Sequence, residues 1–248
     1  MSLQTPYTNE QMLRLLSLAH RHSNPNLLDN WYFADPINQR GQTEYSTTSG
    51  ATKTYFIDRW SSRNSAYTFT LESDGIRLQN DSTAYANYIE QFLESYPPPV
   101  ATCLSLLVAE VSGTFYAQVA YEDGTFASAQ GALQVGLNVI SNPPGKRVKR
   151  VLIQLNKGSS IKLKAIKLEM GSEQTLAYQD DTGAWVLNDP PPNKQQELAK
   201  CQRYFRRYRT EAARPSYAED CSPVMRADPV QGTLTINGIT YYTNSADL

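Results

Sequence analysis

The sequence predicts a mainly β protein, in which an antiparallel two-sheet β-sandwich follows a helix and precedes a small α/β region. Three observations support this prediction. Several segments alternate apolar and polar residues, Asp-Gly, Ser-Gly and Pro-Gly turns separate them, and helical periodicity occurs near each end of the chain. At 248 residues the chain is long enough to bury the core of one large sandwich without disulfide bonds.

Residues 1–25 are predicted to form an N-terminal helix for attachment or oligomerisation. Thr8-Asn9-Glu10-Gln11 has the spacing of a capping box, and Asn24-Pro25 ends the periodic run that follows. Met12, Leu16 and Ala19 recur at three- and four-residue intervals, which gives one apolar stripe. A helix of about 14 residues spans only about 21 Å. Its stripe must therefore pack on its own domain, on a sister subunit or on another protein, and these three residues are the candidate oligomer seam.

Residues 26–187 show the alternation that is typical of half-buried strands. After the turn at Gly158-Ser159-Ser160 the alternation changes phase between Ala165 and Ile166, which predicts a bulge or a strand that changes faces. Three sets of residues are predicted to face the core: Tyr67, Phe69 and Leu71; Phe115, Ala117, Val119 and Tyr121; Val151, Ile153 and Leu155.

Residues 188–194 are predicted to be a stiff Pro-rich linker, and residues 195–248 a helix followed by a β-hairpin. Asn237-Gly238 is the favoured two-residue hairpin turn, so Ile236 is expected opposite Ile239. The apolar side of the helix is predicted to consist of Leu198, Cys201, Phe205 and Tyr208, with arginines on the other side.

Five segments resemble a jelly-roll domain, and the short helix after it, found in tail-fibre and minor structural proteins of bacteriophages and prophages. Asn26–Phe33, Pro36–Gly41 and Tyr55–Trp60 resemble the opening of that domain. Ile166–Ser172 resembles its closing strand and turn, and Glu197–Phe205 the short helix that follows. The last forty residues depart from the family, apart from the stretch that begins at Pro223.

The resemblance implies a carbohydrate-binding-like jelly roll in a tail-fibre or receptor-binding subunit of a virion tail. Such a subunit would adhere to a bacterial surface glycan without catalysis, contact other tail or baseplate proteins and form a homotrimer, with Met12 and Leu16 in the seam. Tyr116 and Gln118, opposite the core face of their strand, are the candidate glycan contacts. The alternatives are a baseplate-to-fibre adaptor that binds no sugar, and a polysaccharide depolymerase, since paired carboxylates leave no spacing signature.

The charge composition argues against attraction of nucleic acid or membranes by the overall charge of the protein. The 23 basic and 24 acidic residues give a net charge of −1, so no field attracts nucleic acid or an anionic membrane. The 16 tyrosines suit contact with sugar or protein, although antiparallel β proteins favour tyrosine in any case. Residues 1–24 lack the apolar core of a secretion signal, and no stretch approaches the roughly 20 apolar residues of a membrane span. We therefore expect synthesis in a host cytoplasm.

Motifs for catalysis or metal binding are weak, and no metal or cofactor is predicted. His20 and His22 cannot share a helical face, and no Gly-x-Ser-x-Gly elbow is present. Asp181-Thr182-Gly183 matches the aspartic-protease tripeptide but is predicted to be a turn. Trp31 and Trp60 are expected in the core. The three cysteines are expected to be reduced and buried, and Arg59 could pair with Asp58 or cap a loop.

Overall fold

The computed structural model describes Thr8 and residues 23–47, 53–63, 67–80, 87–127 and 132–246. The predicted N-terminal helix, with Met12, Leu16 and Ala19, lies outside the described residues, as do His20 and His22. None of the helices within the described ranges has the length and hydropathy that a membrane crossing requires.

Two six-stranded antiparallel sheets form the sandwich. In spatial order the first sheet contains β1 (Glu44–Thr47), β4 (Tyr67–Glu72), β5 (Gly75–Asn80), β12 (Ser160–Met170), β7 (Thr102–Ser112) and β10 (Gly136–Asn142). The second sheet contains β2 (Thr54–Tyr55), β3 (Ser61–Arg63), β6 (Asn87–Phe92), β11 (Val148–Leu155), β8 (Phe115–Tyr121) and β9 (Phe126–Ala127).

From β5 onwards the chain alternates between the two sheets, except that the consecutive strands β8 and β9 both belong to the second. Strands β5, β7, β10 and β12 belong to the first sheet, whereas β6, β8, β9 and β11 belong to the second. Within each sheet the strands are neighbours in the orders β5-β12-β7-β10 and β6-β11-β8-β9, which is the connectivity of a jelly roll. The predicted antiparallel sandwich is therefore confirmed.

The core between the sheets contains the residues that the alternation predicts. Phe69, Phe115, Ala117, Val119 and Val151 have no measurable exposure. Both expected core tryptophans are buried, and the indole Nε1 of Trp60 donates to the carbonyl oxygen of Asn30 at 3.0 Å. Burial of these apolar side chains on facing sheets supplies the main driving force for the fold.

Strand β12 contains the predicted change of phase. Its register against β7 shifts between Lys162 and Leu163 and again between Leu163 and Ala165. Ala165 and Ile166 follow this irregularity, and both are fully buried. The predicted bulge is confirmed.

The C-terminal region contains β13 (Ala177–Gln179), β14 (Trp185–Leu187), helix α1 (Lys194–Cys201), β15 (Phe205–Tyr208), a 3-10 turn (Glu211–Ala213), β16 (Val230–Ile236) and β17 (Ile239–Ser245). Strands β13 and β14 form a hairpin, and β15, β17 and β16 form a three-stranded sheet, called here the C-terminal sheet. Asn237 and Gly238 both have positive φ, and Ile236 pairs with Ile239 as predicted.

The predicted helix is shorter than the sequence suggests. Helix α1 ends at Cys201, and Phe205 and Tyr208 lie in β15, where they pair with Ser245 and Tyr242 of β17. Successive side chains of a strand alternate, so Phe205 and Tyr208 occupy opposite faces. The prediction that they share one helical side is therefore wrong, because pairing with a distant strand overrides the local periodicity.

Candidate functional site

The outer face of the second sheet is the candidate site. Tyr116 of β8 lies opposite Gln154 of β11, and Gln154 lies opposite Tyr88 of β6. Their neighbours in sequence, such as Ala117 and Ile153, are buried in the core. Because strand side chains alternate between faces, Tyr116, Gln154 and Tyr88 form one row across the outer face, called here the tyrosine row.

A second row contains Gln118, Leu152 and Glu90, and a third contains Ala120, Arg150 and Phe92. Leu152 and Glu90 are 3% and 0% exposed although they lie on the outer side, so neighbouring side chains cover the centre of the face. The Arg150 guanidinium lies 2.6 Å from a carboxylate oxygen of Glu90. The central acid is therefore held in an ion pair beneath the surface.

Cations and aromatic rings alternate along the third row and beyond it. The guanidinium of Arg150 is 5.0 Å from the ring centre of Phe92 and 6.0 Å from that of Phe126. Lys53 Nζ is 4.5 Å from the Phe92 ring and 5.0 Å from the Tyr55 ring. This arrangement, called here the cation–aromatic row, connects β9 at one edge of the sheet to β2 at the other.

The tyrosine row differs from the cation–aromatic row in that, within the described residues, no cation lies over its rings. Tyr88 and Tyr116 are half-buried. They are two strands apart, a separation of roughly 10 Å at the usual strand spacing. Gln154 lies between them, with its side-chain amide donating to Asn156 at 3.3 Å. The row thus offers two aromatic surfaces with an amide between them.

These groups match what a carbohydrate requires. The C–H faces of a pyranose ring pack against aromatic rings, and its hydroxyl groups both donate and accept hydrogen bonds. A glutamine amide also supplies both donor and acceptor, and a tyrosine hydroxyl does the same. The outer face can therefore bind a saccharide through stacking and neutral hydrogen bonds.

Two residues of this face, Tyr116 and Gln118, are predicted from the sequence, whereas Tyr88 and Gln154 are not. The structure places Tyr116 and Gln118 in adjacent rows of the outer face. It adds Tyr88, whose strand lacks a simple alternation because the polar Gln91 faces inwards. Gln91 is 1% exposed. Its side-chain oxygen accepts from Asp29 N at 2.8 Å, and its side-chain nitrogen donates to the carbonyl oxygen of Asp29 at 2.8 Å. That backbone partner could not be recognised from sequence.

The segments that carry the family resemblance form a separate, structural network. The side-chain amide of Asn30 donates to the carbonyl oxygens of Ile37 and Asp58 at 2.9 and 2.7 Å, and its oxygen accepts from Ile37 N at 2.7 Å. Asp58 accepts from the backbone and side chain of Gln39. Asn30, Asp58 and Gln39 are buried, so this part of the motif joins three loops and is shielded from ligands.

Of the two roles that the sequence leaves open for Arg59, pairing with Asp58 or capping a loop, the side-chain bonds of Arg59 to Asp29 and to the backbone of Phe92 correspond to neither an Asp58 pair nor a simple cap. Its Nε donates to Asp29 at 3.0 Å, its Nη2 donates to the carbonyl oxygen of Phe92 at 2.6 Å, and its guanidinium lies 3.5 Å from the ring centre of Tyr204. Burial is the main reason that the pKa of Tyr204 lies above its ordinary value. Arg59 therefore connects the sandwich to the segment after α1.

Other predicted features have structural roles. Asp181-Thr182-Gly183 forms a turn in which the Asp180 carboxylate accepts from Thr182 N at 2.9 Å and from Thr182 Oγ1 at 2.6 Å. Cys103, Cys201 and Cys221 are free and buried, as expected. Within the described ranges, no group of three or more His, Cys, Asp or Glu residues could hold a metal ion.

Comparisons with known proteins give partial similarities. No protein-family model matches the sequence, and no curated protein does. Among solved structures, the enzymatically active domain of tailspike protein 4 from bacteriophage CBA120 is similar at 12% identity and a TM-score of 0.35, covering 59% of this chain and 21% of that one. The chain therefore spans about a fifth of that tailspike domain.

Two carbohydrate-binding modules of family 29 are also similar to the chain. A mutant of CBM29-2 has 9% identity and a TM-score of 0.35, over 52% of this chain and 91% of the module. CBM29_1 from Piromyces equi has 11% identity and a TM-score of 0.31, over 51% of this chain and 90% of the module.

Proposed function

We propose that this chain is a phage or phage-like tail subunit that adheres to a bacterial surface glycan without cleaving it. The observation that carries the glycan proposal is the tyrosine row, in which Tyr88 and Tyr116 present two rings on either side of Gln154. Aromatic surfaces with a few well-placed polar groups are typical of specific ligand sites. The cation–aromatic row lies on the same face, beyond the row of Gln118, Leu152 and Glu90.

The tail assignment rests on the segments that resemble tail-fibre proteins, Asn26–Trp60 above all. This assignment includes three further proposals: the chain lies in the virion tail, it contacts other tail or baseplate proteins, and it forms a homotrimer. Weak binding at one face would suffice, because several copies on one particle raise the overall avidity.

The mechanism we propose is passive adhesion. Glycoside hydrolysis commonly uses two carboxyl groups that flank the scissile bond, one of which must exchange a proton with the leaving oxygen. Glu90, the acid at the centre of the face, is fully buried and paired with Arg150. This arrangement favours a structural role for Glu90 over proton transfer.

A glycan array and adsorption to host cells test the proposal. We expect Tyr88→Ala and Tyr116→Ala each to weaken binding by about tenfold, equivalent to roughly 1.4 kcal/mol for the loss of one stacking surface. Tyr217→Ala is the matched control, because Tyr217 is 59% exposed and belongs to the C-terminal region. Equal adsorption of all three variants and the parent would contradict the proposed face.

The array, together with two further experiments, separates the other two functions. An adaptor would co-purify with tail proteins and give no selective signal on the array. A depolymerase would shorten host capsule chains during incubation, which gel filtration of the polysaccharide detects. Either outcome would replace adhesion as the function of the chain.

A further inference from the structure

A cavity of about 330 Å³ lies between the C-terminal sheet and the edge strands β1 and β2 of the sandwich. We propose that this cavity is a second saccharide subsite, which takes one neutral sugar residue. The class of ligand rests on the proposed function, whereas the site itself rests on the geometry of the cavity. Its volume is at the lower end of the range of about 300–1,000 Å³ that is usual for small-ligand pockets.

Hydrogen bonds order the sandwich side of the cavity and join it to the C-terminal sheet. The Tyr45 hydroxyl donates to Asn38 Oδ1 at 2.7 Å and accepts from Gln42 N at 3.2 Å. The Gln39 side chain donates to the carbonyl oxygen of Phe205 at 2.7 Å, which joins the sandwich to β15. Buried groups fixed in this way do not have to be ordered when a ligand binds, so the cavity is largely preorganised.

The lining combines apolar and neutral polar groups. Tyr55, Phe205 and Leu234 provide apolar surface for the C–H groups of a sugar ring. Gln42 and Ser46 also line the cavity, and within the described residues neither side chain is engaged in a hydrogen bond. Their amide and hydroxyl groups can donate to and accept from sugar hydroxyls.

The charges around the cavity favour a neutral ligand. Arg40 lies in the lining, but its guanidinium is 3.3 Å from an oxygen of Asp58 and 4.0 Å from the ring centre of Phe205. Burial raises the pKa of Tyr45 to about 12, so its hydroxyl stays protonated at neutral pH. A carboxylate-bearing sugar would therefore find a cation whose charge is already matched by an internal acid.

The cavity shares one residue with the candidate face. Tyr55 lines the cavity and is also the β2 end of the cation–aromatic row, with Lys53 at 5.0 Å. A glycan bound along the outer face could place its terminal residue in the cavity, and a free monosaccharide could bind there alone. The terminal residue of a glycan and a free monosaccharide present the same ring to the cavity. They differ in whether Tyr88 and Tyr116 also contribute to binding.

Saturation-transfer NMR with methyl glycosides of glucose, galactose, mannose and N-acetylglucosamine tests the subsite, with methyl glucuronide as the acidic probe. Ser46→Trp should fill the cavity and abolish the signal from the neutral glycosides. Glu44→Trp is the matched control, because Glu44 is an exposed residue of the same strand, two positions away and on the same side. Gln42→Ala should weaken the signal at least several-fold and is a second, less disruptive variant.

The outcomes distinguish this inference from the proposed function. Retention of the monosaccharide signal in Tyr116→Ala and its loss in Ser46→Trp would support a separate subsite. With an oligosaccharide selected on the glycan array as the probe, a signal that requires both Tyr116 and an open cavity would support the terminal residue of a longer chain as its occupant. No neutral glycoside signal from the parent, an equal signal in Ser46→Trp, or stronger binding of the glucuronide would overturn the inference. Selective binding on the glycan array would still support the tyrosine row.

Discussion

At the scale of single residues, the side chain of Asn30 connects the parts of the Asn26–Trp60 stretch that resembles tail-fibre proteins. Asn30 has φ of 53°, a conformation that asparagine tolerates better than most residues. From this position its side chain reaches the backbone of Ile37 and of Asp58, and its own carbonyl accepts from the Trp60 indole. The identity of each residue in this network therefore follows from the hydrogen bonds that it completes.

Substitution of Asn30 tests this network. Asn30→Ala should lower the free energy of unfolding by about 2–4 kcal/mol, because each buried polar group left without a partner costs about 1–3 kcal/mol. Asn237→Ala is the control, since Asn237 also has positive φ, 49°, but is exposed in a hairpin turn. It should cost only about 1 kcal/mol, from backbone strain. Urea unfolding measures both, and equal losses would contradict the role of the side-chain hydrogen bonds.

Buried tyrosines predict a loss of stability at alkaline pH. Burial raises the pKa of Tyr45 from 10.0 to about 12, and burial followed by the charge of Glu90 raises that of Tyr67 still further. Between pH 10 and 12 the unfolded chain therefore binds fewer protons than the native one, so the free energy of unfolding falls as pH rises.

Urea midpoints between pH 9 and 12 measure this effect. Tyr45→Phe should make the decline with pH shallower, since it removes one group whose pKa differs between the two states. Tyr217→Phe, at an exposed position, should leave the slope unchanged. Parallel pH profiles for the parent and Tyr45→Phe would show that Tyr45 does not contribute.

At the scale of elements, α1 shows how a short helix is fixed by its two ends. Asn193 caps the helix, with its side-chain oxygen accepting from Gln195 N at 3.0 Å and Gln196 N at 3.1 Å. One turn later, the buried Glu197 carboxylate accepts from Asn30 N, which attaches the helix to the sandwich. An isolated helix of this length is not stable in water, so the cap and this contact decide that it forms.

Removal of the cap should loosen α1. Asn193→Ala should cost about 1 kcal/mol, the usual effect of losing an N-cap side chain, and should speed hydrogen exchange across Lys194–Cys201. Asn193→Asp keeps an accepting oxygen and should restore protection. If the alanine variant exchanges at the parental rate, attachment through Glu197 alone is enough to hold the helix.

At the scale of the whole molecule, the two outer faces of the sandwich differ. On the first sheet Lys162 Nζ lies 2.5 Å from Asp74 and 2.8 Å from Glu72, so charged side chains pair with one another across the strands. Further along β12, Lys167 is 1% exposed and donates to Thr175 and Asp189. The second sheet has the tyrosine row, and this asymmetry supports the proposal that its outer face binds the ligand.

Self-association is the whole-molecule prediction. Sedimentation equilibrium of the full chain should give three times the monomer mass of 27.8 kDa. Leu16→Asp should shift the protein towards monomer, because a charge in an apolar seam is costly to bury. Glu10→Asp, which adds no new charge in the same segment, should leave the mass unchanged. A monomer at all concentrations would refute the trimer.

The sequence by itself determined the alternating strands, the bulge in β12, the Asn237-Gly238 hairpin and the buried tryptophans, because each depends on local periodicity or on turn chemistry. Only the tertiary structure decided that Phe205–Tyr208 is a strand, since its partner β17 lies more than thirty residues away. It also decided which polar residues share the outer face, bringing Tyr88 and Gln154 beside Tyr116. Those neighbours depend on the register between strands, and the pattern of a single strand contains no information about it.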